Sequence, residues 1–273
     1  MKPLPVALAA TLHDATGALR RDVVWALPRL RALYRDIAVT TSPPTSPHIV
    51  ELLRSAGIFA GTPPANTRGP LYRMAVRGAL DTTAPAVHYL DFDRALHWLR
   101  VAPRELRAVL RLARRHPALL VGRTELAHAS HHRPLWATET VVNRLVADEL
   151  GVGGRLDLMV PSFVLPVASA RELVRRSRAR DGEIYGEWAA IVAALAAEPA
   201  YVECRGLDWE TPDRHRRAVR RAGLATWRRR QETPAEWALR IALAERIVAG
   251  FTRARRRHPA RIRLVRLRPR TVR

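Results

Sequence analysis

The sequence predicts an α/β fold, in which a mostly parallel central sheet carries helices on both faces and the C-terminal half is more irregular. Two observations lead to this prediction. Short apolar runs alternate with longer segments whose apolar residues recur every three or four positions, as they do in amphipathic helices. The alternation continues through residues 1–93, and this order is typical of strands joined by crossover helices in a parallel sheet.

The first half begins with an almost continuous apolar run over residues 5–11, which we expect to be a buried strand. Residues 18–34 follow with leucine and valine at helical spacing, so they are expected to form the first helix. Gly57 is expected to end the second helix, because glycine readily adopts the conformation that terminates helices. The other elements expected in this half are a strand over 37–41, a helix over 46–55, a strand over 58–60, a helix over 69–80 and a strand over 86–90.

The second half has a looser pattern. Pro161 interrupts the apolar run 156–165, which is therefore expected to form an edge or irregular strand. Pro234 is well placed as the first residue of a long helix that extends to about residue 253. The other elements expected here are helices over 94–100, 104–115, 134–150, 169–178 and 186–197, and strands over 118–122 and 200–204.

The charge of the chain is strongly basic, with 47 basic and 25 acidic residues and a formal net charge of +22. Such a charge is typical of proteins that bind nucleic acid or anionic membranes. Lys2 is the only lysine, however, and an excess of arginine with abundant alanine, leucine and valine indicates a GC-rich coding bias. Nucleic-acid binding is therefore the less favoured expectation. A second expectation is that the arginine-rich segment 253–273 is attracted to anionic lipid headgroups.

The cellular setting is predicted from three further features. The single cysteine, Cys204, excludes an internal disulfide framework and fits a reducing cytoplasm. No window of about 20 residues is apolar enough to cross a bilayer. The N-terminal apolar run is better explained as a core strand than as a signal peptide. We therefore expect a cytoplasmic protein, with peripheral contact at the inner face of the membrane if the basic tail binds lipid.

The segment around Asp91 and Asp93 is the most informative in the chain, because an apolar run ends there in two carboxylates. In an extended chain residues two apart lie on the same side, so the two acids are expected to face one ligand. A divalent cation would relieve their repulsion, and hard oxygen ligands suit Mg²⁺ or Mn²⁺. The alternative is that Asp93 only caps the helix that follows.

Polar residues also follow two other expected strands, at Thr11 to Asp14 and at 40–42. Ligands of parallel sheets bind at the carboxyl ends of the strands, so these segments are expected to meet the two acids. Asp14 has the alternative role of a helix cap. The glycine patterns of dinucleotide-binding and Walker sites are absent from the sequence. The histidines 128, 131 and 132 lack a second cluster at zinc spacing and are expected to be exposed in a loop.

These features together resemble the GT-A-type, nucleotide-sugar-dependent glycosyltransferases, of the family 2-like kind. The resemblance is carried by the two polar strand ends, by the Asp-x-Asp at 91–93 and by a basic, glycine-containing segment at Arg68. It implies a Rossmann-like nucleotide-sugar-binding half over 1–93, an acceptor-side half over 94–252 in the same domain, and a basic tail over 253–273. The implied function is metal-dependent transfer of a sugar, of the hexosyltransferase class, from a nucleoside-diphosphate sugar to an unknown acceptor hydroxyl, with a lipid-linked acceptor as one candidate.

The resemblance also implies roles for individual residues. Thr11 and Asp14 would line the base and ribose pocket, and Arg68 would face phosphate, although it could equally be a solvated surface arginine. Asp91 would lie near the ribose or the metal-bridged diphosphate, and Asp93 would bind Mn²⁺ or Mg²⁺ directly.

Two residues of the second half complete the predicted site. Glu187, near the start of an expected helix, would deprotonate the acceptor, or would only meet the helix dipole. His215 would be a third metal ligand, or part of an exposed basic run. The competing interpretations are a nucleotidyltransferase-like enzyme and a non-enzymatic protein that binds nucleic acid or an anionic membrane.

Overall fold

The computed structural model describes residues 2–159, 161–196 and 198–267, and it confirms the predicted fold class. The strands of the described residues form one mixed sheet in the order β3-β2-β1-β4-β6-β5-β7-β8. Neighbouring strands pair in parallel, except that β6 is antiparallel to both β4 and β5. The strands are β1 Leu4–Leu12, β2 Tyr34–Thr41, β3 Phe59–Gly61, β4 Ala86–Tyr89, β5 Leu119–Arg123, β6 Phe163–Pro166, β7 Ala200–Cys204 and β8 Val265–Arg266.

Helices cover both faces of this sheet. In β1, Val6 and Leu8 pack into the core on one face, and Ala7 and Ala9 pack into the core on the other. A strand buried on both faces has apolar residues at every position rather than at alternate ones, which explains the continuous apolar run in the sequence. The α-helices are α1 Arg20–Arg31, α2 Pro47–Ser55, α3 Arg68–Leu80, α4 Phe92–Val101, α5 Pro103–Leu112, α6 Glu125–Ala129, α7 Arg133–Glu149, α8 Val167–Arg176, α9 Glu183–Leu195, α10 Arg216–Ala222, α11 Leu224–Arg230 and α12 Pro234–Arg257.

The first helix is shorter than its sequence pattern. The spacing predicted a helix over 18–34, but α1 ends at Arg31 and Tyr34 already opens β2. Leu33 and Tyr34 are buried, so they match the helical pattern without belonging to the helix. The pattern therefore reports burial on the core side, and it cannot distinguish the last turn of a helix from the start of a strand.

The antiparallel strand is also much shorter than predicted. The apolar run 156–165 forms a strand only from Phe163 onward, where Leu165 pairs with Val87 of β4. The described residues 156–159, 161 and 162 form neither helix nor strand, and Asp157 among them is almost fully buried against Arg123 of β5, with its Oδ2 2.7 Å from the guanidinium Nε. At this depth the two charges must stay paired, because an unpaired charge inside the protein is strongly destabilising.

The C-terminal segment is not separate from the domain. The predicted tail began at residue 253, but α12 continues to Arg257, and β8 then adds to the sheet beside β7. Both predicted halves, 1–93 and 94–252, contribute strands to the same sheet. Residues 268–273 of the predicted tail lie outside the described part of the chain. Among the described residues, no helix is long and apolar enough to cross a membrane.

Candidate active site

A polar cavity of about 490 Å³ opens at the carboxyl ends of β1, β2 and β4. It lies where the strand ends were predicted to meet. The cavity contains four carboxylates and three arginines, together with a histidine, several hydroxyl and amide groups and few apolar side chains. The lining residues are Thr11, His13, Ser42, Asn66, Thr67, Arg68, Leu71, Tyr72, Asp91, Asp93, Arg94, Asp181, Glu210 and Arg214.

Asp91 and Asp93 both line the cavity, although not for the reason that the sequence suggested. The strand ends at Tyr89 and α4 begins at Phe92, so the two acids are not alternate residues of one extended segment. Asp91 is instead the residue before α4, and Asp93 lies in the first turn. Both carboxylates are therefore close to the positive end of the helix dipole, which favours negative charge.

Asp91 is held by one group from strand β1 and one from helix α4. The Thr11 hydroxyl donates to Asp91 Oδ1 at 2.7 Å, and Arg94 Nε is 3.6 Å from its second oxygen. Burial raises the pKa of Asp91 to about 6; Arg94 opposes this shift, while the nearby carboxylates of Asp93 and Glu210 add to it. The cavity therefore concentrates negative charge at this point.

Arg68 reaches the cavity from the first turn of α3. Its guanidinium Nη1 is 2.9 Å from Asp181 Oδ1, and its backbone N–H donates to the same oxygen at 3.3 Å. Burial alone would raise the pKa of Asp181, but the Arg68 charge and hydrogen bonds keep it below its usual value. Asp181 therefore stays ionised and holds Arg68 at the cavity wall.

Gly69 allows this contact because α3 packs directly on the backbone that precedes α9. The Gly69 amide donates to Arg180 O at 3.0 Å. A Cβ atom at Gly69 would lie 2.1 Å from Ala179 O, far inside contact distance. Only glycine allows this approach.

A loop after β7 supplies the opposite wall with Glu210 and Arg214. It is fastened to α4 by His97, whose Nε2 is 2.8 Å from Asp208 Oδ1 and whose Nδ1 is 2.7 Å from Asp213 Oδ2. Burial by itself would lower the pKa of His97, but the two carboxylates outweigh it and raise the pKa to about 9. The charged imidazole thus links the helix that begins at the two acids to the loop that faces them.

Of the four acids that line the cavity, Glu210 makes the weakest contacts with other side chains. Its Oε1 is 3.8 Å from Arg94 Nη2, and its Oε2 lies 3.9 Å from His131 Nε2 with no hydrogen-bond partner among the described residues. Only 9% of the residue is exposed. A buried carboxylate with free lone pairs is suited to accept a proton or a hydroxyl group from a bound ligand.

Arg214 forms an ion pair with Asp93, whose other oxygen accepts the Arg94 amide at 2.9 Å. The side chains of Arg214 and Asp93 are 22% and 18% exposed. Arg94 itself is buried and contacts both Asp91 and Glu210. In the described structure, each carboxylate of the Asp-x-Asp segment therefore faces an arginine.

The other residues predicted at strand ends divide into two groups. Thr11 and Ser42 line the cavity, and the Ser42 hydroxyl is 2.7 Å from His13 Nδ1. Asp14 does not line it. Its carboxylate accepts the amides of Ala18 and Leu19 at 3.0 and 2.9 Å, so it stabilises the turn that enters α1. Asp14 therefore holds the turn before α1 rather than capping the helix, whose preceding residue is Leu19, and it is not among the residues that line the cavity.

Glu187 is not in the cavity. It lies within α9 rather than at its start, and it is buried. Its carboxylate accepts the Ser177 hydroxyl at 2.6 Å and the Ala179 amide at 3.0 Å, which shapes the turn after α8. The prediction missed this because α9 begins at Glu183, four residues before Glu187, and it is Asp181 that reaches the cavity from this region.

His215 is also outside the cavity. Its ring packs at a tilt against Trp227 of α11, with the ring centroids 5.4 Å apart. Its predicted role as a metal ligand does not fit this position; its neighbour Arg214 and the nearby Glu210 occupy the cavity instead. The sequence placed all three in one charged segment, but it contained no signal that selects among them.

The histidines 128, 131 and 132 are buried rather than exposed, which corrects the loop prediction. The rings of His131 and His132 pack against Trp209, at centroid distances of 6.4 and 5.5 Å. Burial lowers the pKa values of His131 and His132, and nearby arginines lower them further, so both rings are neutral near pH 7. They form an aromatic support beneath the loop that carries Glu210.

The cavity fits a divalent cation only together with a ligand that brings oxygen atoms. Within 2–159, 161–196 and 198–267, no three His, Cys, Asp or Glu side chains are grouped closely enough to hold an ion by themselves. Two carboxylates are nevertheless the donor set that Mg²⁺ commonly uses when substrate phosphates complete its coordination. Asp91 and Asp93 are two such donors, and the cavity has one more carboxylate than it has arginines.

Comparisons with known proteins concern the fold. No protein-family model matches the sequence, and no curated protein matches it significantly. Among solved structures, glucosyl-3-phosphoglycerate synthase from Mycobacterium tuberculosis in complex with Mn²⁺, UDP-glucose and phosphoglyceric acid is similar, with 11% identity and a TM-score of 0.46. The alignment covers 92% of this chain and 79% of that one.

Two further structures of the same enzyme also match. The complex with Mg²⁺ and UDP is 12% identical over 70% of this chain and 64% of that one. The complex with UDP is 10% identical over 70% of this chain and 80% of that one. Both have a TM-score of 0.39. The function proposed below rests on the cavity of this chain.

Proposed function

We propose that this protein transfers a sugar from a nucleoside-diphosphate sugar to an acceptor hydroxyl, with a divalent cation bound by Asp91 and Asp93. One observation carries the proposal. The cavity at the strand ends brings two acids at the start of α4 together with arginines from three separate segments, Arg68, Arg94 and Arg214. Arginines suit the recognition of phosphate, and paired carboxylates suit a hard cation.

The donor is proposed to bind with its diphosphate between these two groups. Arg68 lies on α3, and Arg214 lies on the facing loop, so both can contact phosphate oxygens in the cavity. The cation would neutralise charge on the departing nucleoside diphosphate, which is the chemistry that a Lewis acid supplies. His13 and Ser42, with Asn66 nearby, offer the polar groups for the base and ribose in place of Asp14.

The acceptor hydroxyl is proposed to lose its proton to Glu210. Its carboxylate lines the cavity, accepts no hydrogen bond from the described residues and lies opposite the two acids of α4. Two other acids that line the cavity already form ion pairs, Asp181 with Arg68 and Asp93 with Arg214. Glu210 therefore replaces Glu187 as the proposed base.

The acceptor itself and the contact with a membrane stay predictions from the sequence. Arg263 and Arg266 belong to the described part of the basic segment, and Arg266 lies in the strand that joins the sheet. Their positions favour neither a lipid-linked acceptor nor a soluble one.

A thermal-shift panel tests the proposed donor class. UDP, GDP, ADP and CDP would each be added with and without Mn²⁺ to the intact protein. A ligand at 100 times its Kd stabilises the folded state by about 2.7 kcal/mol, a readily measured shift. We expect one nucleoside diphosphate to stabilise the protein in the presence of Mn²⁺. Asp93→Ala is expected to lose the metal-dependent part, whereas His215→Ala keeps it.

The same panel separates the competing functions. A larger response to nucleoside triphosphates, with release of pyrophosphate, would favour a nucleotidyltransferase. Salt-sensitive binding of random-sequence oligonucleotides without any response to nucleotides would favour a nucleic-acid-binding protein. Either result would overturn the proposed glycosyl transfer.

A further inference from the structure

We propose that Arg214 exchanges partners during donor binding: it neutralises Asp93 in the empty cavity and moves to the donor diphosphate when Asp93 binds a cation. This inference rests on the proposed function and adds a regulation of metal binding to it. It predicts that the cation and the nucleoside diphosphate each bind weakly alone and tightly together.

In the present arrangement, Asp93 cannot serve as a cation ligand. One oxygen forms the ion pair with Arg214, and the other accepts the Arg94 amide at 2.9 Å. A divalent cation beside the same carboxylate would meet the guanidinium charge at close range, and like charges repel. Arg214 must therefore leave Asp93 when a cation arrives.

The cavity balances its charges through ion pairs. Each of the described arginines that line it already has an acidic partner: Arg68 has Asp181, Arg94 has Asp91 and Glu210, and Arg214 has Asp93. A diphosphate that enters the cavity finds no arginine without an acidic neighbour among these three. The buried Nε and Nη1 atoms of Arg94 have no hydrogen-bond partner among the described residues, whereas the charges of Arg68 and Arg214 become available to a diphosphate only when their ion pairs open.

Among these ion pairs, the one between Arg214 and Asp93 opens when the cation binds. Arg94 is buried, so its guanidinium cannot turn toward an incoming ligand without an unpaired charge being left inside. Asp181 also pairs with Arg246, whose Nη1 is 3.2 Å from its Oδ2, so Arg68 can leave this carboxylate without stranding it, but its movement does not free Asp93 for a cation. Only the ion pair of Arg214 is opened by the cation itself, because a cation on Asp93 takes over the neutralisation of that carboxylate. The exchange leaves every charge paired.

The loop itself need not move. Asp208 and Asp213, which lie on either side of Glu210 with Asp213 next to Arg214, are held by His97 of α4. The change is then confined to the long side chain of Arg214, which is 22% exposed and already lines the cavity. A side-chain rotation of this kind is fast compared with loop or domain motions.

The exchange has a testable thermodynamic consequence, since two ligands that favour the same state bind cooperatively and reciprocally. Removal of the carboxylate charge at Asp93 should free Arg214 even without a cation. In a chelating buffer, we therefore expect Asp93→Asn to bind the nucleoside diphosphate about tenfold more tightly than the unaltered protein does. The double variant Asp93→Asn, Arg214→Gln should lose that gain.

The experiment is isothermal titration in EDTA with the tightest binder of UDP, GDP, ADP and CDP. Electron paramagnetic resonance of Mn²⁺ without nucleotide gives the second measurement. Arg214→Gln is expected to bind Mn²⁺ more tightly than the unaltered protein, because Asp93 is no longer occupied. Arg217→Gln removes the same charge from an exposed position on the next turn and serves as the matched control. Circular dichroism checks that each variant is folded.

The outcomes separate the two proposals. If the unaltered protein binds a nucleoside diphosphate with Mn²⁺, but Asp93→Asn gains no affinity in EDTA or keeps its gain in the double variant, the exchange is wrong and the proposed function stands. If Arg214→Gln and Arg217→Gln bind free Mn²⁺ equally, the exchange is also wrong. If no nucleoside diphosphate binds the unaltered protein under either condition, both proposals fail.

Discussion

His97 on α4 and Asp213 on the loop after β7 form a hydrogen bond of 2.7 Å between Nδ1 and Oδ2, and this contact joins the two sides of the cavity. Asp208 accepts from the other ring nitrogen. The imidazolium thus links α4, which follows Asp91, to the loop that carries Glu210 and Arg214.

This contact predicts a stability that falls at alkaline pH. The pKa of His97 is raised to about 9 in the folded protein, from an ordinary value of 6.5. A raised pKa contributes stability that is complete below about pH 6.5 and is lost as the pH rises to about 9. The contribution is up to about 3 kcal/mol.

Urea unfolding at pH 6, 7.5 and 9 measures the contribution of His97 to the free energy of unfolding. Compared with the unaltered protein, His97→Gln is expected to lose stability at pH 6 and little at pH 9. His48→Gln, on the exposed side of α2, should follow the unaltered protein throughout. Parallel pH profiles for the unaltered protein and His97→Gln would contradict the assignment.

Gly69→Ala is expected to destabilise the protein by about 1 to 3 kcal/mol, because a methyl group would overlap the backbone oxygen of Ala179. It should also weaken nucleoside-diphosphate binding, since the same packing holds Arg68 beside Asp181. Gly153→Ala is the control, because its Cβ would meet nothing within 4 Å. Thermal unfolding and titration calorimetry give the two readouts. Equal stability of the two variants would exclude the close packing.

Glu210→Gln is expected to reduce kcat of sugar transfer by about 10² to 10⁴, the usual effect of losing a general base. The fold and the affinity for the nucleoside diphosphate should change little, because the side-chain Oε2 of Glu210 has no hydrogen-bond partner among the described residues and Arg94 keeps Asp91 as an acidic partner. Initial rates across pH 5 to 9 distinguish a base from a passive group. A variant with an unchanged rate and an unchanged pH profile would remove Glu210 from the mechanism.

Glu187→Ala is expected to act in the opposite way. Loss of the carboxylate leaves the buried Ser177 hydroxyl and the Ala179 amide without their acceptor, at a cost of about 1 to 3 kcal/mol each. Denaturant unfolding should show this loss, while kcat of the folded fraction is retained. A lower kcat in a variant of normal stability would restore Glu187 to the site.

The strand ends were predictable from the sequence because they depend on local chemistry. A strand buried on both faces needs continuous apolar residues, and the first polar residues after it lie at the edge of the sheet. Thr11, Ser42 and Asp91 follow this rule, and all three line the cavity. Asp14 follows the same rule but turns its carboxylate to the amides of Ala18 and Leu19. A single side chain can cap a turn or face a ligand, and neighbouring residues do not distinguish the two.

The sequence by itself determined the α/β class and the two acids at the start of α4, since periodicity and strand-end chemistry act over a few residues. Only the tertiary structure decided which residues of the second half face those acids. Although β6 and β5 separate β7 from β4 in the sheet, Glu210 and Arg214 meet these acids because His97 of α4 binds both Asp208 and Asp213 in the loop after β7. Contacts between residues more than 100 positions apart depend on the packing of the whole sheet, and no local pattern in the chain records them.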